Sequence, residues 1–338
     1  MKVQSLSDIY SSLNLQNSTV FVVPKIRYAF PDSDYLYLLY KPILDSKTYQ
    51  VKDISFFQHY KFVFKALTTK NTILHYHWLE FQDMKSLLGI PWKLLSIFLF
   101  KILGGKVVWT IHNLSPHTGK WEKTHQKIHS WMAKISDKVH IHCRSISDIV
   151  TDEFNFTKDK LCILPHPSFP ADLINKTEAV SFLKSEYDIE INSNKPTVLY
   201  FGNISEYKNI EESLDIIENE NFEVQVLIAG PVKKGQEKLG ERLIKRTQEN
   251  ENYFLIPDFI PDHQIKYFFG SADFCFFNFE KILTSGSVEM ALSYEKNIIA
   301  PSLGCLAELL DDEKVLLFSS EHEKRVHLKA LTSRFNNE

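Results

Sequence analysis

Short apolar runs alternate with helical patterns along the whole chain. In the first half the β-type runs cover residues 19–23, 35–40, 73–78, 107–111, 139–143 and 161–164. In the second half they cover residues 198–201, 224–229, 254–256, 274–277, 298–300 and 315–318. Helical patterns such as residues 120–136 lie between several of these runs. Strands that alternate with helices predict the α/β class, with doubly wound parallel sheets of Rossmann-like type.

A proline-rich segment separates the two sets of strands. Pro165, Pro167 and Pro170 interrupt the pattern, and residues 177–187 then show a short helical pattern. A chain of 338 residues is long enough for two domains that each bury a core. We therefore predict domains at residues 1–166 and 196–338, joined by a linker at 167–195. Ligands of open α/β sheets bind at the carboxyl ends of the strands, so we expect the domains to face each other across a cleft.

A small, hydroxyl-rich turn follows the apolar run at 274–277. It consists of Thr284, Ser285, Gly286 and Ser287, and it precedes an apolar helical pattern. The first amides of a helix have no partner within the helix, and the helix dipole adds partial positive charge there. Such a turn can bind a phosphate, but an ordinary helix cap has the same residues. The turn alone leaves both interpretations open.

Several further motifs precede this turn in a fixed order. They are Phe201-Gly202-Asn203-Ile204, Tyr207-Lys208, Ile228-Ala229-Gly230-Pro231 and Ile256-Pro257-Asp258. Together with the turn they span about 85 residues. Their order resembles the donor-binding domain of GT-B glycosyltransferases, and most of all family 4 of the sugar-nucleotide-dependent transferases of polysaccharide biosynthesis.

The resemblance implies a metal-independent hexosyltransferase. Such an enzyme moves a sugar from a nucleotide diphosphate sugar, with UDP or GDP as the expected nucleotide, to a saccharide or lipid-linked saccharide acceptor, and needs no cofactor. The donor-binding residues that it implies are Gly202, Asn203, Lys208, Phe259, Ile260, Thr284, Ser285, Gly286 and Ser287. Lys208 would hold the diphosphate charge, the amides of residues 285–287 the distal phosphate, and the backbone near Phe259 and Ile260 the base.

Histidines stand at two strand ends of the first half. His75 and His77 end one apolar run, and His112 ends the next. The resemblance implies that His112 contacts the transferred sugar or the acceptor, whereas buried histidines also commonly satisfy backbone groups. Glu80 and Asp83 are the carboxylates expected to act as a base if the reaction inverts configuration. Histidine pairs without a third ligand do not predict a metal site.

The chain departs from the family pattern at a characteristic pair of glutamates. Ile282 and Met290 occupy those two positions, and Glu289 lies one residue early. Glu295 and Asn297 stand where glycine and proline are usual. A catalytically degenerate GT-B protein that binds a nucleotide sugar or a partner without turnover is therefore the alternative, and a nucleotide-sugar epimerase is a weaker one.

Charge divides the chain into unlike halves. Residues 1–170 hold 21 Lys and Arg against 13 Asp and Glu, whereas residues 171–338 hold 18 against 29. A basic half suits an anionic partner. The lysines are spread out and the usual nucleic-acid motifs are absent, so we expect no nucleic acid and take an anionic membrane surface as the candidate. Two domains that merely differ in surface charge explain the numbers equally well.

One helical pattern bears on the membrane hypothesis. Residues 85–103 are mostly apolar but contain lysines, so the segment is too short and too charged to span a bilayer. It can lie on a membrane surface, or it can pack as a core helix. The first ten residues lack the apolar core of a signal peptide. We expect a cytoplasmic protein that is at most peripheral at the inner face of the cell membrane.

Overall fold

The computed structural model describes residues 4–15, 17–81, 84–114 and 121–335. The chain forms two compact units, Met1–Pro167 and Ser168–Glu338. Each unit contains a six-stranded sheet in which every pair of neighbouring strands is parallel. The prediction of two doubly wound α/β domains is confirmed.

The first unit is built around one sheet in the order β2-β1-β3-β4-β5-β6. Its strands are β1 (Thr19–Val23), β2 (Gln50–Asp53), β3 (Thr72–Tyr76), β4 (Lys106–Thr110), β5 (Lys138–Ile141) and β6 (Leu161–Ile163). Its helices are α1 (Leu6–Ser11), α2 (Tyr35–Ser46), α3 (Tyr60–Thr68), α4 (Met84–Leu87), α5 (Ile90–Ile102), α6 (Glu122–Ile135) and α7 (Ser147–Phe154). The strand order reverses between β1 and β3, which makes their carboxyl ends the switch point where ligands bind in such sheets.

The second unit has the sheet order β12-β11-β10-β7-β8-β9. Its strands are β7 (Thr197–Phe201), β8 (Gln225–Ala229), β9 (Tyr253–Ile256), β10 (Phe274–Phe276), β11 (Asn297–Pro301) and β12 (Val315–Phe318). Its helices are α8 (Lys176–Tyr187), α9 (Ile210–Asn219), α10 (Glu237–Glu249), α11 (Asp262–Ser271), α12 (Gly286–Ser293) and α13 (Glu321–Phe335). Here the switch point lies between β7 and β10.

The central strands are buried along their whole length. Every residue of β1, β3, β7 and β8 is buried, as expected for parallel strands that helices cover on both faces. Helix α8, in the segment predicted as a linker, packs on the second unit. The ring of Phe182 stacks on that of Tyr267 with centroids 3.7 Å apart. Lys176 Nζ lies 2.8 and 2.6 Å from the two carboxylate oxygens of Asp273.

The strand predicted at residues 35–40 is wrong, because this segment begins α2. Asp34 caps the helix by accepting a hydrogen bond from Tyr37 N at 2.9 Å. The buried residues recur at intervals of three and four, which is the helical period; they are Leu36, Leu39, Tyr40 and Ile43. The alternating aromatic residues suggested a strand. The helix cap at Asp34 and the burial of one helix face favour the helix instead.

The helical segment predicted at residues 85–103 forms two helices, α4 and α5. Gly89 lies between them, and a Cβ there would be 2.9 Å from the ring of Phe56. Within the described ranges no helix is long and apolar enough to cross a bilayer.

Candidate functional site

Two glycine loops lie against each other at the carboxyl ends of β7 and β8. Gly202 follows β7 with φ +87°, and Gly230 follows β8 with φ +140°. Gly202 N donates a hydrogen bond to Ala229 O at 2.9 Å. A Cβ on Gly230 would be 2.4 Å from Gly202 O, so only glycine permits this approach. The result is a close approach of two backbone turns beside β7, the strand that borders the switch point of the second sheet.

The Lys208 side chain folds back over this turn. Its Nζ donates to Phe201 O at 3.0 Å and lies 3.5 Å from the Cβ position of Gly202. The residue is 7 % exposed, and burial lowers the pKa of Lys208 to about 8. No carboxylate of the described part of the chain forms an ion pair with it. A buried cation without a counter-ion is a natural partner for an anionic ligand.

The start of α12 reaches the same turn. Ser285 caps the helix by accepting from Val288 N at 3.3 Å, and Ser287 Oγ lies 3.1 Å from the Cβ position of Gly202. The amides of Gly286 and Ser287 donate to no acceptor in the described regions of the protein. The structure therefore brings together Gly202, Lys208 and the predicted helix start.

Asn278 is a further candidate that the sequence did not single out. It lies two residues beyond β10, the strand that pairs with β7 at the switch point. Its side chain is only 4 % exposed, and its Nδ2 has no hydrogen-bond partner among the described residues. The buried Ser205 Oγ, in the loop after β7, is likewise unpaired within those ranges. The one sequence signal for Asn278 was its place after a strand.

The other predicted donor-binding residues lie around this centre. Thr284 directly precedes the cap of α12 and is partly buried. Asn203 follows Gly202 and is exposed. Phe259 is exposed and Ile260 is buried in the loop between β9 and α11, at the same edge of the sheet but two strands from β7.

In the first unit, aromatic rings cluster at the carboxyl ends of β3, β4 and β5. The ring of His112 stacks on that of Trp78 with centroids 4.2 Å apart, and Tyr35 packs edge-on against His112. His112 belongs to a group of neighbouring histidines that we call the histidine cluster. Its other members are His75, His77, His140, His142 and His166. All of them are buried except the partly exposed His166, and burial lowers the pKa of each, so the rings are neutral near pH 7.

Hydrogen bonds between these neutral rings run in one direction. Leu164 O can only accept, so the Nε2 of His140, 2.8 Å away, carries the ring proton. The unprotonated His140 Nδ1 then accepts from the Thr110 hydroxyl at 2.9 Å. The oxygen of Thr110 in turn accepts from His75 Nε2 at 2.8 Å. These three contacts leave His75 Nδ1 without a proton.

The same logic extends to His112. The Tyr10 hydroxyl also lies 2.7 Å from His75 Nδ1, but it donates to the Tyr40 oxygen at 3.4 Å, so the Tyr40 hydroxyl, 2.6 Å away, donates to the unprotonated His75 Nδ1. The Tyr40 oxygen then accepts from His77 Nε2 at 3.1 Å, and His77 Nδ1 accepts from His112 Nε2 at 3.2 Å. The chain of hydrogen bonds thus fixes the tautomer of His112 and leaves its Nδ1 as an acceptor for a ligand hydroxyl.

Glu80 lies just beyond β3, where the Asn113 side chain hydrogen-bonds it. Burial raises the pKa of Glu80 to about 7, against the opposing charge of Lys93. A carboxyl group with this pKa can exchange protons at physiological pH. The second expected carboxylate, Asp83, lies outside the described residues. Across the described ranges no three His, Cys, Asp or Glu side chains are grouped to hold a metal ion.

The positions of the missing glutamate pair are apolar in the structure too. Met290 is buried within α12, and Ile282 is partly buried in the loop before it. Glu289 is partly buried, and the loss of solvation raises its pKa to about 7.

No family model matches the chain, and no curated protein matches its sequence. Solved structures do match its fold. Starch synthase IV from Arabidopsis thaliana, bound to ADP and acarbose, superposes with a TM-score of 0.66 over 95 % of this chain and 92 % of its own, at 11 % identity. HepE from Anabaena, in complex with UDP and glucose, gives 0.64 over 95 % and 89 %, at 13 % identity.

Sucrose-phosphate synthase from Thermosynechococcus elongatus also gives a TM-score of 0.64, over 93 % of this chain and 95 % of its own, at 14 % identity. The chain has the GT-B fold. The resemblance inferred from the order of the motifs is confirmed at the level of the fold. Gly202, Lys208 and α12 belong to the sheet of the second unit, and His112 to that of the first.

Proposed function

We propose that this GT-B protein is a metal-independent hexosyltransferase. It transfers a sugar from a nucleotide diphosphate sugar, with UDP or GDP as nucleotide, to a saccharide or lipid-linked saccharide in surface polysaccharide biosynthesis. We place its activity in the cytoplasm, at the inner face of the membrane that carries such acceptors. The observation that carries the proposal is the buried Lys208 ammonium beside Gly202 and the free amides of α12.

The donor site would act on the charge that develops as the sugar leaves. Cleavage of the glycosyl–phosphate bond places additional negative charge on the nucleotide diphosphate. Lys208 would neutralise it, and the amides of Gly286 and Ser287 would hold the distal phosphate. The unpaired Asn278 Nδ2 provides a further donor after the adjoining strand β10. The match to HepE supports this choice of ligand, since HepE was crystallised in complex with UDP-glucose.

The histidine cluster would take part through His112. Its unprotonated Nδ1 can accept a hydrogen bond from a hydroxyl group of the transferred sugar or the acceptor. If the reaction inverts configuration, Glu80 would take the acceptor proton, for which a pKa of about 7 is suitable. If configuration is retained, the leaving phosphate can take that proton, and Glu80 would have no part in proton transfer.

The alternative function is binding of a nucleotide sugar without turnover. It is favoured by one observation, the apolar side chains of Ile282 and Met290 at the positions of the glutamate pair. Both functions would use the same anion site, by which we mean Gly202, Lys208 and the start of α12. Only a measurement of turnover therefore distinguishes the two functions.

The first experiment is a thermal-shift screen against UDP, GDP, ADP, CMP and dTDP sugars. At a ligand concentration of one hundred times Kd, binding stabilises the folded state by about 2.7 kcal/mol, which gives a clear shift of Tm. We expect the shift with a UDP or GDP sugar. If none of the donors shifts Tm, the proposed function is wrong.

The second experiment measures hydrolysis and transfer with the stabilising donor, with and without EDTA. Release of nucleotide diphosphate at equal rates in both conditions would support the metal-independent transferase. Binding without any release would instead support the degenerate protein.

A further inference from the structure

The turn before α3 and the helix itself expose a row of large apolar side chains. Phe57, Tyr60, Phe64 and Leu67 are between 45 % and 81 % exposed. Their spacing of three, four and three residues places them on one side. The opposite side of α3 holds the buried Phe62 and Ala66. Helix α3 therefore buries one apolar side in the core and exposes a second apolar side to solvent.

Helix α5 repeats this arrangement. The exposed apolar residues of this helix and of the turn before it lie on one side of it and are 39 % to 78 % exposed; they are Leu88, Trp92, Leu95, Phe98, Leu99 and Ile102. Its other side buries Ile90, Ile97 and Phe100. The two interpretations left open by the sequence, a core helix and a surface helix, thus apply to different sides of the same helix.

Direct contacts hold the two rows next to each other. The rings of Phe62 and Phe100 pack edge-on with centroids 5.3 Å apart. Trp92 Nε1 donates to Phe56 O at 3.3 Å, at the N-terminal ends of both helices. The exposed apolar residues of 57–67 and 88–102 therefore lie on two adjoining helices, and we call them together the apolar face. Isolated exposed apolar residues are normal, but a patch of ten on adjoining helices indicates a binding surface.

The two helices that carry the apolar face hold lysines and no carboxylate. The lysines are Lys61, Lys65, Lys93 and Lys101. Lys101 forms an ion pair with Asp137, and the partly buried Lys93 interacts with Glu80, so Lys61 and Lys65 on α3 are the lysines available to an anionic partner. Aromatic and aliphatic side chains flanked by lysines are the composition of surfaces that bind anionic lipids. Charge complementarity thus selects a lipid surface from the occupants that an apolar patch could have.

We propose that the apolar face binds the cytoplasmic leaflet of an anionic bilayer. Its aromatic and leucine side chains enter the headgroup region, and the lysines contact lipid phosphates. The inference deepens the proposed function, on which it rests for the lipid-linked nature of the acceptor. Binding to the membrane itself follows from the apolar face alone.

The test is flotation of the full chain with vesicles of phosphatidylcholine, with and without phosphatidylglycerol. We expect binding to the anionic vesicles and much weaker binding to the neutral ones. The double variant Phe64→Ser/Leu95→Ser should lose binding. Ile149→Ser is the matched control, because Ile149 is a 48 % exposed apolar residue on α7 of the same unit. Binding by the double variant equal to that of the control would overturn the proposal.

The lysines allow a second comparison. Lys61→Gln/Lys65→Gln on α3 removes two charges four residues apart, and Lys123→Gln/Lys127→Gln on α6 removes two with the same spacing. A lysine near an anionic surface contributes about fivefold to binding, so the α3 pair should weaken partitioning at least about tenfold. The α6 pair should change it far less. Equal effects of the two pairs would contradict docking through α3.

A second copy of the chain is the competing occupant. Light scattering without lipid distinguishes it, because a dimer that Phe64→Ser/Leu95→Ser dissociates would overturn the membrane proposal. Nucleotide binding, measured on the same variants, should be unchanged. Vesicle binding without any nucleotide binding would refute the proposed transferase and leave the apolar face as a membrane surface, whereas the opposite pattern would refute only the membrane proposal.

Discussion

The buried charge of Lys208 destabilises the folded protein when no ligand is bound. Burial lowers its pKa from 10.5 to about 8, so at pH 7 the folded state carries a poorly solvated charge. Between pH 8 and 10.5 the unfolded state holds more protons than the folded state. Stability should therefore rise with pH across this window, as the buried ammonium is neutralised. Residues that lower stability in this way are typical of binding sites.

We predict opposite effects of Lys208→Met on stability and on binding. At pH 7 the variant should be more stable to urea by about 1–3 kcal/mol, and this gain should shrink towards pH 10. Calorimetry should show nucleotide diphosphate affinity reduced about tenfold or more, since a charged hydrogen bond is lost. Lys234→Met, in the exposed loop after β8, is the control. Unchanged affinity would remove Lys208 from the site.

The direction of the hydrogen bonds in the histidine cluster can be observed directly. Long-range ¹H–¹⁵N spectra should show His77 and His112 with the proton on Nε2 and a bare Nδ1. Tyr40→Phe removes the acceptor of His77 Nε2, so both rings should become tautomer mixtures, at a cost of about 1–3 kcal/mol in stability. Tyr10→Phe is the control, because without the Tyr10 hydroxyl the Tyr40 hydroxyl can still donate to His75 Nδ1 and its oxygen can still accept from His77 Nε2.

A proton on Nδ1 of His112 in the unmodified protein would contradict the assignment. A uniform loss of folded signals in both tyrosine variants would indicate that the hydroxyls stabilise the core and do not fix tautomers.

At the residue scale, the sequence singled out groups whose positions depend on local chain geometry. Lys208 and Ser287, which the structure brings to Gly202, were singled out because a lysine after a Gly loop and a serine at a helix start have positional meaning. Asn278 was missed because its burial without a partner depends on strands distant in sequence. The tautomer of His112 was equally inaccessible, since it is fixed through Leu164, Thr110 and Tyr40.

At the scale of elements, strands with continuous apolar runs were predicted well. All six strands of the second unit were found, because each is an apolar run bounded by polar or turn residues. Strand β2 was missed, since Gln50–Asp53 contains a single apolar residue and is only half buried at the sheet edge. The error at residues 35–40 had the opposite cause, because aromatic residues suit both strands and buried helices.

Glu295 ends α12 in a backbone conformation that favours glycine. Its φ is +55°, and it stands where the family pattern has glycine. An L-residue in this conformation costs about 1 kcal/mol relative to glycine. Its side chain is 3.1 Å from Lys314 Nζ in an exposed ion pair, which contributes little.

We predict that Glu295→Gly raises the free energy of unfolding of the second unit by about 0.5–1 kcal/mol, measured by urea denaturation. Glu295→Ala is the control, because it removes the ion pair and keeps the Cβ, and it should give no gain. Equal stability of the two variants would show that the backbone at this position is not strained.

At the scale of the whole molecule, the two units differ in chemistry as well as in charge. The basic unit holds the histidine cluster and the apolar face. The acidic unit holds the proposed anion site, which consists of Gly202, Lys208 and the start of α12. The acidic character of residues 171–338 would repel a nucleotide diphosphate in general, so the local field of Lys208 and the helix start must dominate at the site. Attractive steering from a distance should accordingly be absent, and added salt, which screens the repulsion, should not slow association.

Because every proposed donor-binding residue lies in the second unit, that unit should bind nucleotide on its own. Residues 168–338 contain a complete six-stranded sheet with its own core. Expressed alone, this fragment should unfold cooperatively and bind the nucleotide diphosphate within about tenfold of the affinity of the full chain, because it contains all of the proposed donor-binding residues. The same fragment with Lys208→Met should bind at least about tenfold more weakly. A folded fragment that binds no nucleotide would mean that residues of the first unit, such as His112, contribute most of the donor affinity.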